Sequence, residues 1–119
     1  ANDARLKSDI GQLRTLAEVI YDTMGSQYVS TSNGVEACFN AVTPDATLCG
    51  DASTASSVTA LKTDMTAAYA SSAFDAQALT SSFCIIATMR SGEKVCVDST
   101  GITKSSTTVT CPTATAVCT

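Results

Sequence analysis

A chain of 119 residues with net charge −4 is long enough for one domain and too short for two. Its acidity argues against nucleic acid as a partner, because non-specific affinity for phosphates comes from Lys and Arg displacing counterions. The absence of His removes the usual general base of Ser and Cys triads and the commonest nitrogen ligand of zinc.

The 45% hydrophobic content is inflated by Ala, and only 5% of residues are aromatic, so the core gains less from burial than that share suggests. Six cysteines offer covalent help. Their even number and the lack of a CxxC pair read as three disulfides, not a metal site. Oxidised cysteines imply an exported protein whose leader has been removed or lies outside this sequence. No apolar run approaches the roughly 18 to 20 residues of a membrane span.

The first element in the chain is the clearest. Leu6, Ile10, Leu13, Ala17, Ile20 and Met24 recur at alternating gaps of four and three, which predicts a helix from about Ala4 to Met24. Gly25 suits the left-handed residue that ends it. At about 1.5 Å per residue such a helix reaches on the order of 30 Å. Leu16, Val19 and Tyr21 widen the stripe beyond a coiled-coil seam, so one face should rest on a sheet as well as on other helices. Asp3, Arg5, Lys7, Asp9 and Arg14 crowd the N-terminal half, and Asp3 with Lys7 has the spacing of an i,i+4 ion pair.

From Ser26 to about Ser53 there is no period, and Asn33-Gly34 and Pro44 mark turns, so a loop with short extended pieces is expected. Val58, Leu61, Met65 and Tyr69 return to helical spacing and predict a second, shorter helix. FCIIATM and KVCVD are β-leaning runs around Arg90-Ser91-Gly92-Glu93, the pattern of a hairpin with Gly92 in its turn. Thr107 to Cys111 is the expected last strand, followed by a tail to Cys118. There is no internal repeat, and the many Ser and Thr read as solvated surface, not as a glycosylated stalk.

Little in the chain points to catalysis, a cofactor or a resident metal. Glu36, Asp45, Asp75 and Asp98 are scattered, and none lies in the alternating oxygen-ligand loop of a calcium-binding hand, although a calcium site assembled from loops stays a minor alternative. No Gly-rich phosphate loop follows a strand, and Asn2, Asn33 and Asn40 lack the Ser or Thr of a glycosylation sequon. Six cysteines allow fifteen pairings. The sequential one is expected here: Cys38 with Cys49, Cys84 with Cys96, and Cys111 with Cys118. Its middle bridge is the weak member. A three-residue turn at Arg90 to Gly92 sets Cys96 opposite Ile86, leaving Cys84 a diagonal step of about 7 to 8 Å away, near the disulfide limit. A different register, or another partner for Cys84, would relieve it.

ARLKSDIGQLRTLAEVIYDTMGSQY together with CIIATMRSGEKVCVDSTG resembles the bacterial type IV pilins and the related pseudopilins of type II secretion. The resemblance implies an α+β, pilin-like fold: a long N-terminal helix on a small antiparallel sheet, with an additional short helix and disulfide-stapled loops. Residues 1–119 then form a single head domain. Within it, 1–25 is the C-terminal half of the long pilin helix, 26–81 a variable loop region with the short helix, and 82–119 the sheet and C-terminal loop. Pilins of Gram-negative bacteria often close a C-terminal loop with one disulfide; this chain carries more cysteines than that.

What the resemblance implies about function is structural, not enzymatic. The chain would be a subunit of a surface pilus for adhesion, twitching motility or DNA uptake, and a segment outside this sequence would hold it in the membrane before assembly. Its partners are copies of itself in a helical filament, which is a heterologous assembly that does not close, and the pilus assembly machinery. Leu6, Ile10 and Leu13 are the candidate filament-interface residues. A pseudopilin shares this fold; a small secreted lipid carrier with disulfides around an apolar cavity is the alternative from another class, and the hairpin at Gly92 counts against it.

Overall fold

The structure, a computed structural model, describes residues 2–30 and 33–119, with side chains at 4–29, 33–66 and 74–119. Helix α1 spans Asn2–Thr23 and buries Leu6, Ile10, Leu13, Ala17 and Ile20 completely, so the four-three stripe is the core face. Its 22 residues correspond to about 33 Å at the helical rise, close to the 37 Å longest dimension of the molecule. The helix ends as expected at Gly25, whose φ is 75°. The N–H of Ser26 reaches back to the carbonyl of Tyr21 at 2.9 Å, satisfying one of the last orphan carbonyls. The expected Asp3–Lys7 pair lies outside the described side chains.

The segment after α1 is more structured than a loop. Strands β1 (Val29–Ser30) and β2 (Asn33–Gly34) pair antiparallel and are the expected short extended pieces. Gly34 has φ +123°, and a Cβ placed there would lie 2.4 Å from the carbonyl oxygen of Tyr28, so only glycine fits. Two short helices follow where loop was expected: α2 (Val35–Asn40) and α3 (Ala46–Cys49). Asp45 caps α3 by accepting from the Leu48 N–H at 2.9 Å. The Cys38–Cys49 disulfide joins the two helices, which are too short to persist on propensity alone.

Helix α4 spans Ala52–Ala68, longer than the stretch predicted from Val58. Val58 and Met65 are fully buried and Leu61 is half-buried on its core side. The backbone of Tyr69, expected in this helix, opens a strand instead; its side chain lies outside those described.

The main sheet is a four-stranded antiparallel meander of β3 (Tyr69–Ala78), β4 (Phe83–Met89), β5 (Lys94–Asp98) and β6 (Thr103–Ser106), in that order. The predicted β4–β5 hairpin forms in the predicted register, with Cys96 opposite Ile86 and Gly92 in the turn at φ 93°. Two strands differ from expectation. β3 was not predicted, since its Ala and Ser are poor β formers, and its pairing with β4 is irregular between Tyr69 and Phe74. The last strand lies at 103–106, not Thr107–Cys111. The chain reverses early at Gly101, whose φ is 90°, and the Ser106 hydroxyl accepts the N–H groups of Thr108 and Val109, which ends the strand.

Alternation along the strands divides the sheet's two faces. Phe83, Ile85, Ala87, Met89, Val95 and Val97 belong to the main core with α1, while Cys84, Ile86 and Cys96 join Val109, Cys111 and Cys118 in a second cluster. The fold is therefore α+β, with a long N-terminal helix on one face of an antiparallel sheet and the C-terminal tail on the other. No described helix is long and apolar enough to cross a membrane.

Candidate functional site

The outer face of the sheet carries two of the three disulfides. Cys84 and Cys96 project to the same side of adjacent strands, one diagonal step apart, because Cys84 pairs with Asp98 and Cys96 with Ile86. They do not bond each other. Each takes a cysteine from the tail: Cys84 joins Cys111 and Cys96 joins Cys118, with Cα separations of 5.7 and 5.9 Å. The sequential pairing thus holds for Cys38–Cys49 alone, and the Cys84–Cys96 and Cys111–Cys118 bridges are replaced by two that cross from sheet to tail. Diagonal geometry is the reason: it sets the strand cysteines too far apart and leaves both facing the tail laid over them.

Hydrogen bonds fasten the same tail. Asp98, at the end of β5 and 1% exposed, accepts from the Thr100 N–H, the Thr100 hydroxyl and the Ile102 N–H through Oδ1, and from the Cys118 N–H through Oδ2. Burial alone would raise its pKa, but the hydrogen bonds from Thr100, Cys118 and Ile102 together outweigh that and hold the carboxyl below its ordinary value. Thr110 and Thr119 exchange both backbone hydrogen bonds at 3.0 Å, and the Ser82 hydroxyl donates to the Thr115 carbonyl at 2.9 Å. Val109 and Ala116 are buried beneath.

The other acidic residues singled out in the sequence are not brought together. Glu36 accepts the Ala78 N–H, Asp45 caps α3, and Asp75 accepts from the Gln77 side chain. Each serves its local structure, two of them through the backbone. Glu36 works with Asn40: on α2, Asn40 both donates to the Ala76 carbonyl at 2.9 Å and accepts the Ala76 N–H at 3.0 Å. The free edge of β3 is thereby closed by side chains in place of another strand. Nothing in the sequence marks this role for Asn40, since its partners lie 36 residues away.

A pair of carboxylates, Asp9 and Asp64, joins α1 to α4 and is also absent from the sequence reading. Asp9 is 6% exposed, and its neighbour Asp64 receives the Arg5 guanidinium through Nε at 2.8 Å and through Nη2. Burial, then the hydrogen bond and charge of Asp64, push Asp9 up to about 6, while Arg5 and the hydrogen bond from Asp9 hold Asp64 at about 2. Of the two carboxyls, Asp9 is thus the one that is harder to ionise and Asp64 the one kept charged.

Leu6, Ile10 and Leu13, the expected filament-interface residues, are wholly enclosed by the chain's own core. They present no surface to a neighbour as the chain stands. The open side of α1 instead exposes Lys7, Ser8, Gln12, Thr15 and Val19. Beside it runs a groove of about 360 Å³ between α1 and α4, walled by Gln12, Thr15, Leu16, Ser57, Ala60 and Leu61. A further hollow of about 440 Å³ beside α3 and α4 is lined by Pro44, Asp45 and small residues such as Ala55 and Ser56. In the latter, the Asp45 carboxylate is already engaged by the Leu48 N–H that it caps.

No family model, curated protein or solved structure matches this chain. The site must be judged on its geometry. All six cysteines are in disulfides, and the tail they hold is fixed to the sheet by covalent and hydrogen bonds alike. The tail is thereby tied to the sheet near both of its ends, at Cys111 and Cys118.

Proposed function

We propose that this chain is the head of a filament-forming subunit of the type IV pilin kind, exported and displayed on the bacterial surface. One observation carries the reading. The long helix α1 lies with its stripe against one face of an antiparallel meander, and the opposite face is locked by a disulfide-bonded tail. A head built this way leaves one side of α1 open for a neighbouring copy. Subunit contacts then fall on Gln12, Thr15 and Val19, not on Leu6, Ile10 and Leu13.

Crosslinked loops also suit a protein under tension. Each disulfide removes denatured-state freedom worth about 2 to 4 kcal/mol in the chain-entropy model. The export that such crosslinks require agrees with a surface location.

The coding sequence ahead of Ala1 tests the reading cheaply. A short basic leader followed by about twenty apolar residues, enough to span a bilayer, is the expected result. An ordinary secretory signal cleaved directly before this domain would contradict it.

A further inference from the structure

We infer that Cys84, Cys96, Cys111 and Cys118 form a binding site for one thiophilic divalent cation of the zinc class once their two disulfides are reduced. The Sγ atoms of Cys84, Cys96 and Cys111 lie within 4.8 Å of one another, and Cys118 adjoins through its bond to Cys96. A tetrahedral zinc tetrathiolate, with Zn–S of about 2.3 Å, needs sulfurs about 3.8 Å apart. For the sulfurs of Cys84, Cys96 and Cys111, shifts of about 1 Å convert one arrangement into the other.

The sulfurs stay gathered without their S–S bonds because the backbone around them is held independently. Cys84 and Cys96 are fixed by the β4–β5 ladder. Cys118 is held by Asp98 at 2.8 Å, and the tail between them by the Thr110–Thr119 pair, the Ser82–Thr115 bond and the buried Val109 and Ala116. Preorganisation of this kind lowers the ordering cost of binding. Charge also suits the site: Lys104 stands opposite Cys96 in the ladder and therefore on the same face, where it offsets thiolate charge. Asp98 shares that face, but its oxygens are already occupied by four donors. Cys111, half-buried, gives the entry route, while Cys84 and Cys96 are sealed. Cys38 and Cys49 form a separate pair in the main core and supply an internal control.

Reduction by a trialkylphosphine adds two electrons and two protons to each disulfide, the phosphine leaving as its oxide with oxygen and protons from water. Four thiols result, and the cation displaces their protons on binding. The disulfide and metal-bound states exclude each other, so the redox state of the compartment selects between them.

The whole chain, reduced and freed of phosphine under nitrogen, is titrated with cobalt(II) as a spectroscopic probe and, separately, with zinc(II) before thiol alkylation and mass analysis. The expected result is saturation at one equivalent, with tetrahedral cobalt bands and a thiolate charge-transfer band that zinc abolishes. Zinc should slow alkylation at Cys84, Cys96, Cys111 and Cys118 relative to the metal-free chain, whereas the rates at the core-buried Cys38 and Cys49 should not change with zinc. Alkylation of those four at undiminished rates despite zinc overturns the assignment. So do cobalt bands that persist unchanged in a C84S/C111S variant, which would place the metal elsewhere.

Discussion

Asp98 and Cys118 meet across 20 positions of sequence, the Oδ2 of the first accepting the backbone N–H of the second at 2.8 Å. This contact places a buried carboxylate at the junction of β5, the Gly101 turn and the C-terminal tail. Asp98→Asn turns an amide N–H₂ toward one of the donors now satisfied and should cost about 2 to 4 kcal/mol, read by urea unfolding at pH 7. Because the folded pKa lies below the ordinary carboxylate value, the stability that Asp98 contributes is present above about pH 4 and is lost as pH falls through the folded value. The wild-type chain should therefore lose stability on acidification more steeply than D98N.

The Asp9–Asp64 pair acts in the opposite direction. The native chain holds a proton on Asp9 up to about pH 6, whereas the unfolded chain releases it near pH 4. The stabilising effect of that proton is full at low pH and disappears as pH rises through 6. Melting temperature should fall between about pH 4 and pH 7 and change little from this source above that. Asp9→Asn, which keeps a donor for Asp64 without a charge, should flatten this fall and melt higher than wild type at pH 8. A wild-type melting temperature that rises across the window would refute the upward shift of Asp9.

Asn40 makes a prediction about association. Asn40→Ala removes both hydrogen bonds to Ala76 and should cost about 1 to 3 kcal/mol. It also uncovers the β3 edge, a template for pairing with another chain. Sedimentation velocity should then show concentration-dependent association that the wild-type chain lacks under the same conditions.

How much could be read beforehand follows from what each segment's neighbours are. The α1 stripe was legible because Leu6, Ile10, Leu13, Ala17 and Ile20 repeat with the helix's own period, and all five are buried. The β4–β5 hairpin was legible to the register, since its two apolar runs are bounded by a turn with glycine at positive φ. β3 was hidden: its Ala and Ser carry no β signal, and it exists through pairing with β4 and capping by Glu36 and Asn40 from α2. The disulfides fall between. Strand alternation already set Cys84 and Cys96 on one face and strained a bond between them, but choosing Cys111 and Cys118 as their partners required the tail's path, and that path depends on Asp98. The carboxyls of Asp9 and Asp64 meet only because α1 and α4 pack side by side, which neither helix's own pattern announces.

The claim that this head belongs to a filament subunit is tested most directly by immunogold electron microscopy of the producing cells, using an antibody against the folded chain. The proposed function predicts gold along the length of extracellular fibres, and loss of both fibres and label when the gene is deleted. Antigen found as dispersed protein in the medium, with fibres absent or unlabelled, would contradict it.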